Sequence, residues 1–418
     1  MKRKISIVGA SLYGCLLAYY MSKKKYNVTI YEKKNEILSG FNHISIKNHK
    51  LNNGFHGFEY PRTKELIFFL KKQVGLNFKK ILNVRKLLIN QEIIDYTSKL
   101  VEMPKNIQKL YVKKNLKFYK NQNLDFFFKK KFVNKIIKNS KRYSDNFINC
   151  KHFFLPWFLP ADIKHTTKDE GDKFRYLVRN KKLKPYYYYP KTGLFESIKK
   201  NFLKKLKNQN VKIRFNSKIG FYKNQIYFTD KNDKQFYKES NDRIIFCGSP
   251  IILLGHAKPK MLADLNKFSR NFYNVLIRIS KKNKIPYFSE MLCLNDNIFF
   301  VNRISRVFYL ENNKYYYIQV EVMIKNIESM NILLNNIKKE LLKVFKIKNL
   351  KIIGIKHSRV TYTPTKSWYS KASKICKDFV KKKNIEVDNY VFDPLNTAKV
   401  WDLFERKKKL EKFKTNNP

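Results

Sequence analysis

The chain has 418 residues, 43% of them apolar and 15% aromatic, which is enough to bury a large core and excludes a disordered protein. Lys and Arg number 89 against 32 Asp and Glu, for a formal charge of +57, yet 75 of the basic residues are Lys and 14 are Arg. A surface that reads nucleic acid favours the planar Arg fork. The Lys runs at 23–25, 129–131, 381–383 and 407–409 are also scattered. The charge is therefore read as solvated surface, with weak, salt-sensitive association to anionic surfaces and no specific nucleic-acid partner.

Residues 4–9 are β-branched and apolar, as in a strand buried on both faces, and 12–24 read as a helix. "NVTIYE" at 27–32 is a second strand of the same kind, so 4–32 form a strand–helix–strand unit. A helix is expected over 62–74, with Leu66, Phe69 and Leu70 on one face. "LLINQEIIDY" at 87–96 predicts a hairpin, followed by Phe/Lys-rich helical stretches to about 150. The stretch 185–230 predicts a loop, a helix, a strand and a hairpin, and "RIIFCGSP" at 243–250 is a buried strand ending in a turn. Short strands are expected over 268–323, a helix over 327–345 and a strand over 351–364. A last strand at 390–394 leads into a helix from about Asn396.

The basic start and apolar run to Tyr20 could serve as a secretory signal, but no A-x-A-like site follows and the pattern runs on unbroken into the second strand. We therefore expect the first twenty residues to stay. Lys and Asn interrupt every hydrophobic run before it reaches eighteen residues, so no membrane span is expected. Five widely spaced cysteines without a C-x-x-C pair fit a reducing, cytoplasmic setting and argue against both disulfides and zinc. The histidines show no ligand spacing, so no metal is expected.

The turn after the first strand reads Gly9-Ala10-Ser11-Leu12-Tyr13-Gly14, against the dinucleotide pattern G-x-G-x-x-G. In that pattern the first glycine makes the turn, the second admits the pyrophosphate and the third lets helix and strand pack closely. Gly9 and Gly14 are present; Ser11 takes the middle position, where its Cβ crowds a phosphate and its hydroxyl can donate to one. Glu32 ends the second strand, where a carboxylate accepts from ribose hydroxyls.

Residues 7–40 resemble the N-terminus of the flavoproteins that include UDP-galactopyranose mutase, protoporphyrinogen oxidase and the amine oxidases. The resemblance implies that FAD is the cofactor and that Lys33, Ser39 and Gly40 occupy positions near it, Ser39 and Gly40 in place of a Gly-Gly pair. "LNNGFHGFEYPRTKELIFFLKK" resembles the mutase segment that places Gly54 and His56 near the flavin. "YYYYPKTGLFESIKKNFLKKL" is similar to the Y-P-x-G-G segment of the oxidases, and Ile219 matches the residue whose backbone meets the adenine. The family's last strand delivers a helix N-terminus to the flavin, which here implies Asn396, Thr397 and Ala398.

The implied fold is α/β: a Rossmann-like FAD-binding domain with a parallel sheet (1–78, 186–262 and 365–418) and an inserted α+β substrate domain (79–185 and 263–364). The implied activity is FAD-dependent oxidation of a small-molecule substrate. The alternatives are a nucleotide-sugar mutase using reduced flavin and a non-catalytic dinucleotide-binding protein. Arg175 and Arg179, four apart, could clamp a diphosphate or form a solvated helix face, and Tyr188, within Tyr186–Tyr189, could stack on substrate or lie in a strand edge. Cys247 is expected to pack as a small apolar residue. No Ser-His-Asp or Cys-His arrangement is legible, and no general base is assigned.

Overall fold

The structure, a computed structural model, describes residues 4–53, 57–61, 63–89, 91–112, 117–118, 128–134, 160–162, 164–165, 177–178, 180–222, 225–229, 232, 235–237, 243–294, 301–324, 329–362 and 366–387. Strands β1 (Lys4–Val8) and β2 (Asn27–Tyr31) flank helix α1 (Leu12–Lys23), and β3 (His43–Ile46) and β4 (His49–Asn52) form a hairpin. β5 (Phe58–Tyr60) precedes α2 (Lys64–Lys72), then β6 (Phe78–Leu82), β7 (Arg85–Ile89) and β8 (Glu92–Asp95). The short elements α3 (Lys105–Gln108), β9 (Lys117–Phe118) and β10 (Lys164–His165) follow. The chain then runs through β11 (Tyr186–Pro190), α4 (Ser197–Asn208), β12 (Lys212–Arg214), β13 (Lys218–Tyr222), β14 (Gln225–Thr229) and β15 (Gln235–Tyr237). Next come β16 (Arg243–Phe246), α5 (Pro250–Ala257), α6 (Pro259–Leu265), β17 (Ser269–Ser280), β18 (Glu290–Leu294), β19 (Val301–Arg306) and β20 (Tyr315–Ile324). The last described elements are α7 (Met330–Phe345), β21 (Lys351–Tyr362), α8 (Lys366–Lys382) and β22 (Glu386–Val387).

The fold is α/β, with a Rossmann-like parallel sheet of order β12-β2-β1-β16-β22. Its strands are apolar almost throughout because both faces are covered. On one face Ile5, Ile7 and Ile30 pack with α1, α2 and α4. On the other, Val8, Ile244 and Phe246 meet Leu253 of α5 and Ala372, Cys376 and Val380 of α8. β1 lies between β2 and β16, so the connections leave it in opposite directions and a crevice opens at the carboxyl ends of the three strands.

The second large sheet has the order β21-β17-β20-β19-β18-β7-β8, antiparallel except where β18 pairs with β7. α7 covers one face, burying Leu333, Ile337 and Leu341 against Val275, Ile277, Ile318, Val320 and Val322. The alternate residues Asn274, Gln319 and Glu321 are buried as well. Gln319 Nε2 donates to Asn274 Oδ1 at 2.6 Å and to the Asn52 carbonyl at 3.2 Å, so this polar face is turned toward β4. That face also buries Leu276 and Tyr317 with Ile44, Ile46 and Leu51 of the hairpin, so it is part polar and part apolar.

Several expectations change. The stretch 268–323 holds two long strands, β17 and β20, paired over ten residues each, because neighbours on both sides of each strand sustain the ladder. Tyr186–Tyr189 is no strand edge: β11 is the middle strand between β5 and β6. The helix expected over 62–74 is Lys64–Lys72, started by Thr63, whose hydroxyl donates to the Glu59 carbonyl at 2.9 Å. The edge of the parallel sheet beyond β16 is β22, whereas the strand expected at 390–394 and the helix from Asn396 lie outside the described residues. Most of the helical run expected up to 150 lies outside them too. Among the described residues, no helix is long and apolar enough to cross a membrane.

Candidate dinucleotide site

The crevice at the ends of β1, β2 and β16 holds a cavity of about 550 Å³. Its walls include Gly9 and Ser11 after β1, Tyr31 to Lys34 at the end of β2, Leu38 to Phe41, Ser217 to Ile219 leading into β13, and Cys247 to Ser249 after β16. Backbone bonds fix the rim. Gly9 N–H donates to the Tyr31 carbonyl (2.8 Å), Cys247 N–H to Val8 (2.8 Å), Leu38 N–H to Ala10 (2.8 Å) and Ser217 N–H to Glu32 (2.9 Å).

Gly9 has φ +103°, a conformation that costs an L side chain dearly, and a Cβ there would also meet Gly248 N at 3.0 Å. Gly14 does not line the cavity; it sets the packing behind it. A Cβ on Gly14 would lie 2.1 Å from the Gly9 carbonyl oxygen, so helix and turn touch backbone to backbone.

Ser11 is the N-cap of α1. Its Oγ accepts from Gly14 N–H at 3.2 Å and donates to the Cys247 carbonyl at 3.4 Å. The hydroxyl that could have donated to a phosphate therefore closes the helix start and ties it to the end of β16. Because glycine is nearly as good a cap as serine, Ser11→Gly should cost only a few tenths of a kcal/mol in urea unfolding. A loss above about 1.5 kcal/mol would show that the tie to Cys247 matters more than the cap.

Glu32 binds the glycine turn directly, since Oε2 accepts from Ala10 N–H at 2.6 Å and Oε1 from Lys34 N–H at 2.9 Å. Each carboxylate oxygen keeps a further lone pair for a ligand hydroxyl. Lys33, Lys34 and Lys218 add positive charge around the same cavity. Tyr31 forms part of the wall, with its ring stacked on Phe228 at 3.7 Å and the Arg214 guanidinium over it at 5.8 Å. Burial, then the Glu32 charge, pushes the Cys15 thiol far above its ordinary range, so that thiol is inert.

Of the residues expected at a cofactor, Gly9, Ser11, Glu32, Lys33, Ser39, Gly40 and Ile219 line this one cavity, and Cys247 is both buried and part of its wall. Gly54, His56, Asn396 and Thr397 lie outside the described residues, as do Arg175 and Arg179. Tyr188 is not in the wall: its ring packs on Tyr60 and Phe78, with the Lys71 ammonium over it at 5.1 Å. The sequence reading missed Ser249, Ile252 and His256, which α5 carries into the cavity. The signal was present in "CGSP": small residues after a buried strand, then Pro250 at the first helical position, mark a second strand–turn–helix corner facing the first.

The seam between the mixed sheet and the small sheet of β5, β11 and β6 was also missed. Arg85 of β7 is buried, and its Nε bonds to Glu290 of β18. Its Nη2 lies 2.6 Å from Glu59 Oε1 of β5 and 2.8 Å from the Tyr187 hydroxyl of β11. Tyr187 donates to Glu290 at 2.6 Å, and Arg303 pairs with Glu321 at 3.0 Å and approaches Glu290 at 3.6 Å. Burial opposes the Arg85 charge, but Glu59, Tyr187 and Glu290 together hold the guanidinium protonated.

Residues 7–71 match the family model described as an NAD(P)-binding Rossmann-like domain. Among solved structures, the chain is similar to reduced UDP-galactopyranose mutase, at 11% identity and a TM-score of 0.64, covering 98% of this chain and 94% of that one. It is similar also to a provisionally assigned protoporphyrinogen oxidase from Exiguobacterium sp. 255-15, at 12% identity and TM-score 0.60, covering 98% and 99%. A variant of putrescine oxidase matches at 10% identity and TM-score 0.57, covering 99% of each chain. No curated protein matches the sequence. At such identities the likeness is one of fold, that of a Rossmann-like dinucleotide-binding domain carrying a second, mixed-sheet unit.

Proposed function

We propose that the chain binds FAD non-covalently and is an oxidoreductase of the amine-oxidase and protoporphyrinogen-oxidase type. One observation carries this reading: a single cavity at the switch point of a parallel sheet joins a glycine turn, a helix N-terminus and a strand-end carboxylate. The residues fit the ADP half of the cofactor. Gly9 and Gly14 let the turn and the helix start pack backbone to backbone, the N-terminus of α1 supplies N–H donors for phosphates, and Glu32 has spare lone pairs for ribose hydroxyls. Leu38 to Phe41 line the same cavity beside the glycine turn, to which Leu38 N–H is bonded through the Ala10 carbonyl.

Bound flavin would supply the hydride-accepting ring. The protein's contribution is to orient it, exclude water and present substrate from the second sheet. On that side we place the buried Glu321, Asn274 and Gln319 and the half-buried Arg303, a polar row suited to fixing a small polar substrate. The mutase reading keeps the same site but implies no net redox change, so it is separated by assaying turnover with reduced against oxidised cofactor.

The direct test is the absorption of the purified protein and its titration with FAD. Yellow protein, or colourless protein that takes up FAD stoichiometrically, is the expected result. Colourless protein that takes up none would favour the non-catalytic alternative. Glu32→Gln removes the charge from the ribose contacts and should weaken FAD binding by about ten- to a hundredfold, the worth of one or two charge-assisted hydrogen bonds. An unchanged affinity would remove Glu32 from the ribose.

A further inference from the structure

Helix α2 has one face in the core and one in solvent. Leu66, Ile67, Phe69 and Leu70 are buried, while Lys64, Phe68, Lys71 and Lys72 fall on the opposite side at spacings of three and four. Phe68 stands in the middle of that stripe with 60% of its surface in water. A lone exposed aromatic residue needs no explanation. This one is continued by a neighbouring sheet.

Tyr186 and Tyr188 of β11 point away from the buried Tyr187 and Tyr189, since alternate residues of a strand face opposite ways. The Lys71 ammonium lies 5.1 Å over the Tyr188 ring, which joins the α2 stripe to this side of the sheet. In the register of β11 with β6, Tyr188 is opposite Lys80 and Tyr186 is opposite Leu82. The Lys80 ammonium sits 3.7 Å over the Tyr186 ring, and Leu82 is 43% exposed. Phe68, Lys71, Tyr188, Lys80, Tyr186 and Leu82 thus form one continuous strip in which apolar and aromatic groups alternate with cations. Across α2 and β6, with sequences KELIFFLKK and FKKIL, Glu65 is the one acid.

We propose that this strip docks the chain on an anionic lipid surface, with Phe68 and Leu82 entering the headgroup layer and the lysines pairing with lipid phosphates and carboxylates. Three features of its chemistry select that partner. Tyrosine rings and lysine stems are amphipathic and settle at the boundary of water and hydrocarbon. Lysine is depleted from protein–protein interfaces, whose dry centre would strip its hydration, whereas a headgroup layer stays wet. The strip carries no Arg fork to grip nucleic acid. Its positive charge supplies attraction, and the two apolar side chains add a contact that salt does not screen. Docking of this kind does not depend on what occupies the crevice.

The experiment is co-sedimentation of the full chain with vesicles of phosphatidylcholine, alone or with about a third phosphatidylserine, at about 0.15 M salt. The parent should pellet with the anionic vesicles and not with the neutral ones. Phe68→Ser combined with Leu82→Ser leaves the charge untouched and should weaken that binding at least about tenfold, the worth of the apolar area lost. Both residues are exposed, so the unfolding midpoint should stay at the parent's value. Lys71→Ser combined with Lys80→Ser should weaken binding by a similar factor. Lys381→Ser combined with Lys382→Ser, on α8 at the opposite face of the parallel sheet, should change it by less than about twofold. In Phe68→Trp, emission beyond the parent's own should shift to the blue when anionic vesicles are added. A parent that stays in solution overturns the proposal, and if it binds polyglutamate instead, the strip belongs to an acidic protein. Undiminished binding by the Phe68 and Leu82 variant also overturns it, as does an emission that does not move. So does an equal loss from the α8 lysines, which would mean diffuse charge alone.

Discussion

Gly14→Ala should destabilise the chain by about 2 kcal/mol and weaken binding of ADP-containing ligands by at least tenfold. Two effects compete. Alanine is the better helix former by roughly 1 kcal/mol. Against this, its Cβ would sit 2.1 Å from the Gly9 carbonyl oxygen, an overlap of backbone with backbone that no rotamer can relieve. Gly9 cannot retreat without breaking its bond to Tyr31. Nor can α1 slide, because Cys15, Leu16, Leu17 and Ala18 are packed almost completely out of solvent. Overpacking of this kind costs about 3 kcal/mol or more, so the overlap wins. Whatever displacement relieves it moves the first N–H groups of α1 away from the turn, and each 1.4 kcal/mol lost there is about tenfold in affinity. Urea unfolding and nucleotide titration of the variant check this. Gly40→Ala is the control for stability alone, since nothing lies within 4 Å of its Cβ position although it lines the same cavity. A Gly14→Ala protein as stable and as tight-binding as the parent would mean that the turn does not depend on this contact.

Arg85→Met should cost more, about 3–5 kcal/mol at pH 7. The substitution removes the cation that Glu59 and Glu290 share, leaving Glu59 with the Asn83 amide and Glu290 with the Tyr187 hydroxyl and the more distant Arg303 at 3.6 Å. Methionine is chosen because it preserves much of the side-chain volume, so the loss reports charge and not a cavity. The pH dependence separates the two explanations further. Without Arg85, burial raises the folded-state pKa of both carboxylates above the unfolded value near 4.3. Their penalty is then fully present above the raised pKa and is relieved as pH falls toward the unfolded value. The gap between variant and parent should therefore narrow between pH 7 and pH 4. A gap that stays constant over that range would assign the loss to packing. Because Arg85 and Glu290 belong to the mixed sheet, and Glu59 and Tyr187 to the sheet of β5, β11 and β6, the same variant should also loosen the junction between them. Faster hydrogen exchange confined to β5 and β7 would show this.

The strand–helix–strand corner at 4–32 was legible because each of its parts acts over short range. Two apolar runs must be buried on both faces, a positive-φ glycine must sit where the chain reverses, and an acid must end the second strand. Each requirement involves residues within one turn or one strand of each other, and the alternation of elements then admits few topologies. Helix α7 was legible for the same reason, its apolar residues Leu333, Ile337 and Leu341 falling on one face.

Ser11 illustrates the boundary. Its position in the glycine pattern was plain, but its role as a cap rests on Gly14 N–H and on the Cys247 carbonyl, 236 residues away. β11 read as an edge because nothing in "YYYYP" says that β5 and β6 will flank it. The polar residues of β20 are clearer still. Gln319 and Glu321 alternate with Ile318, Val320 and Val322 in the pattern of a strand with one wet face. Both are buried: Gln319 donates to the Asn52 carbonyl, 267 residues away, and Glu321 pairs with Arg303 on the neighbouring strand β19.

Local periodicity thus decided the α/β class, the nucleotide corner and the acid beside it, since those follow from hydrogen bonding and burial along a few residues. The second wall of the cavity on α5, the ring of His256 beside Ile219 and the charge cluster around Arg85 were decided only by the tertiary structure. They are contacts between strands and helices far apart in the chain, and their energies come from desolvation and pairing that exist only after the sheets have met.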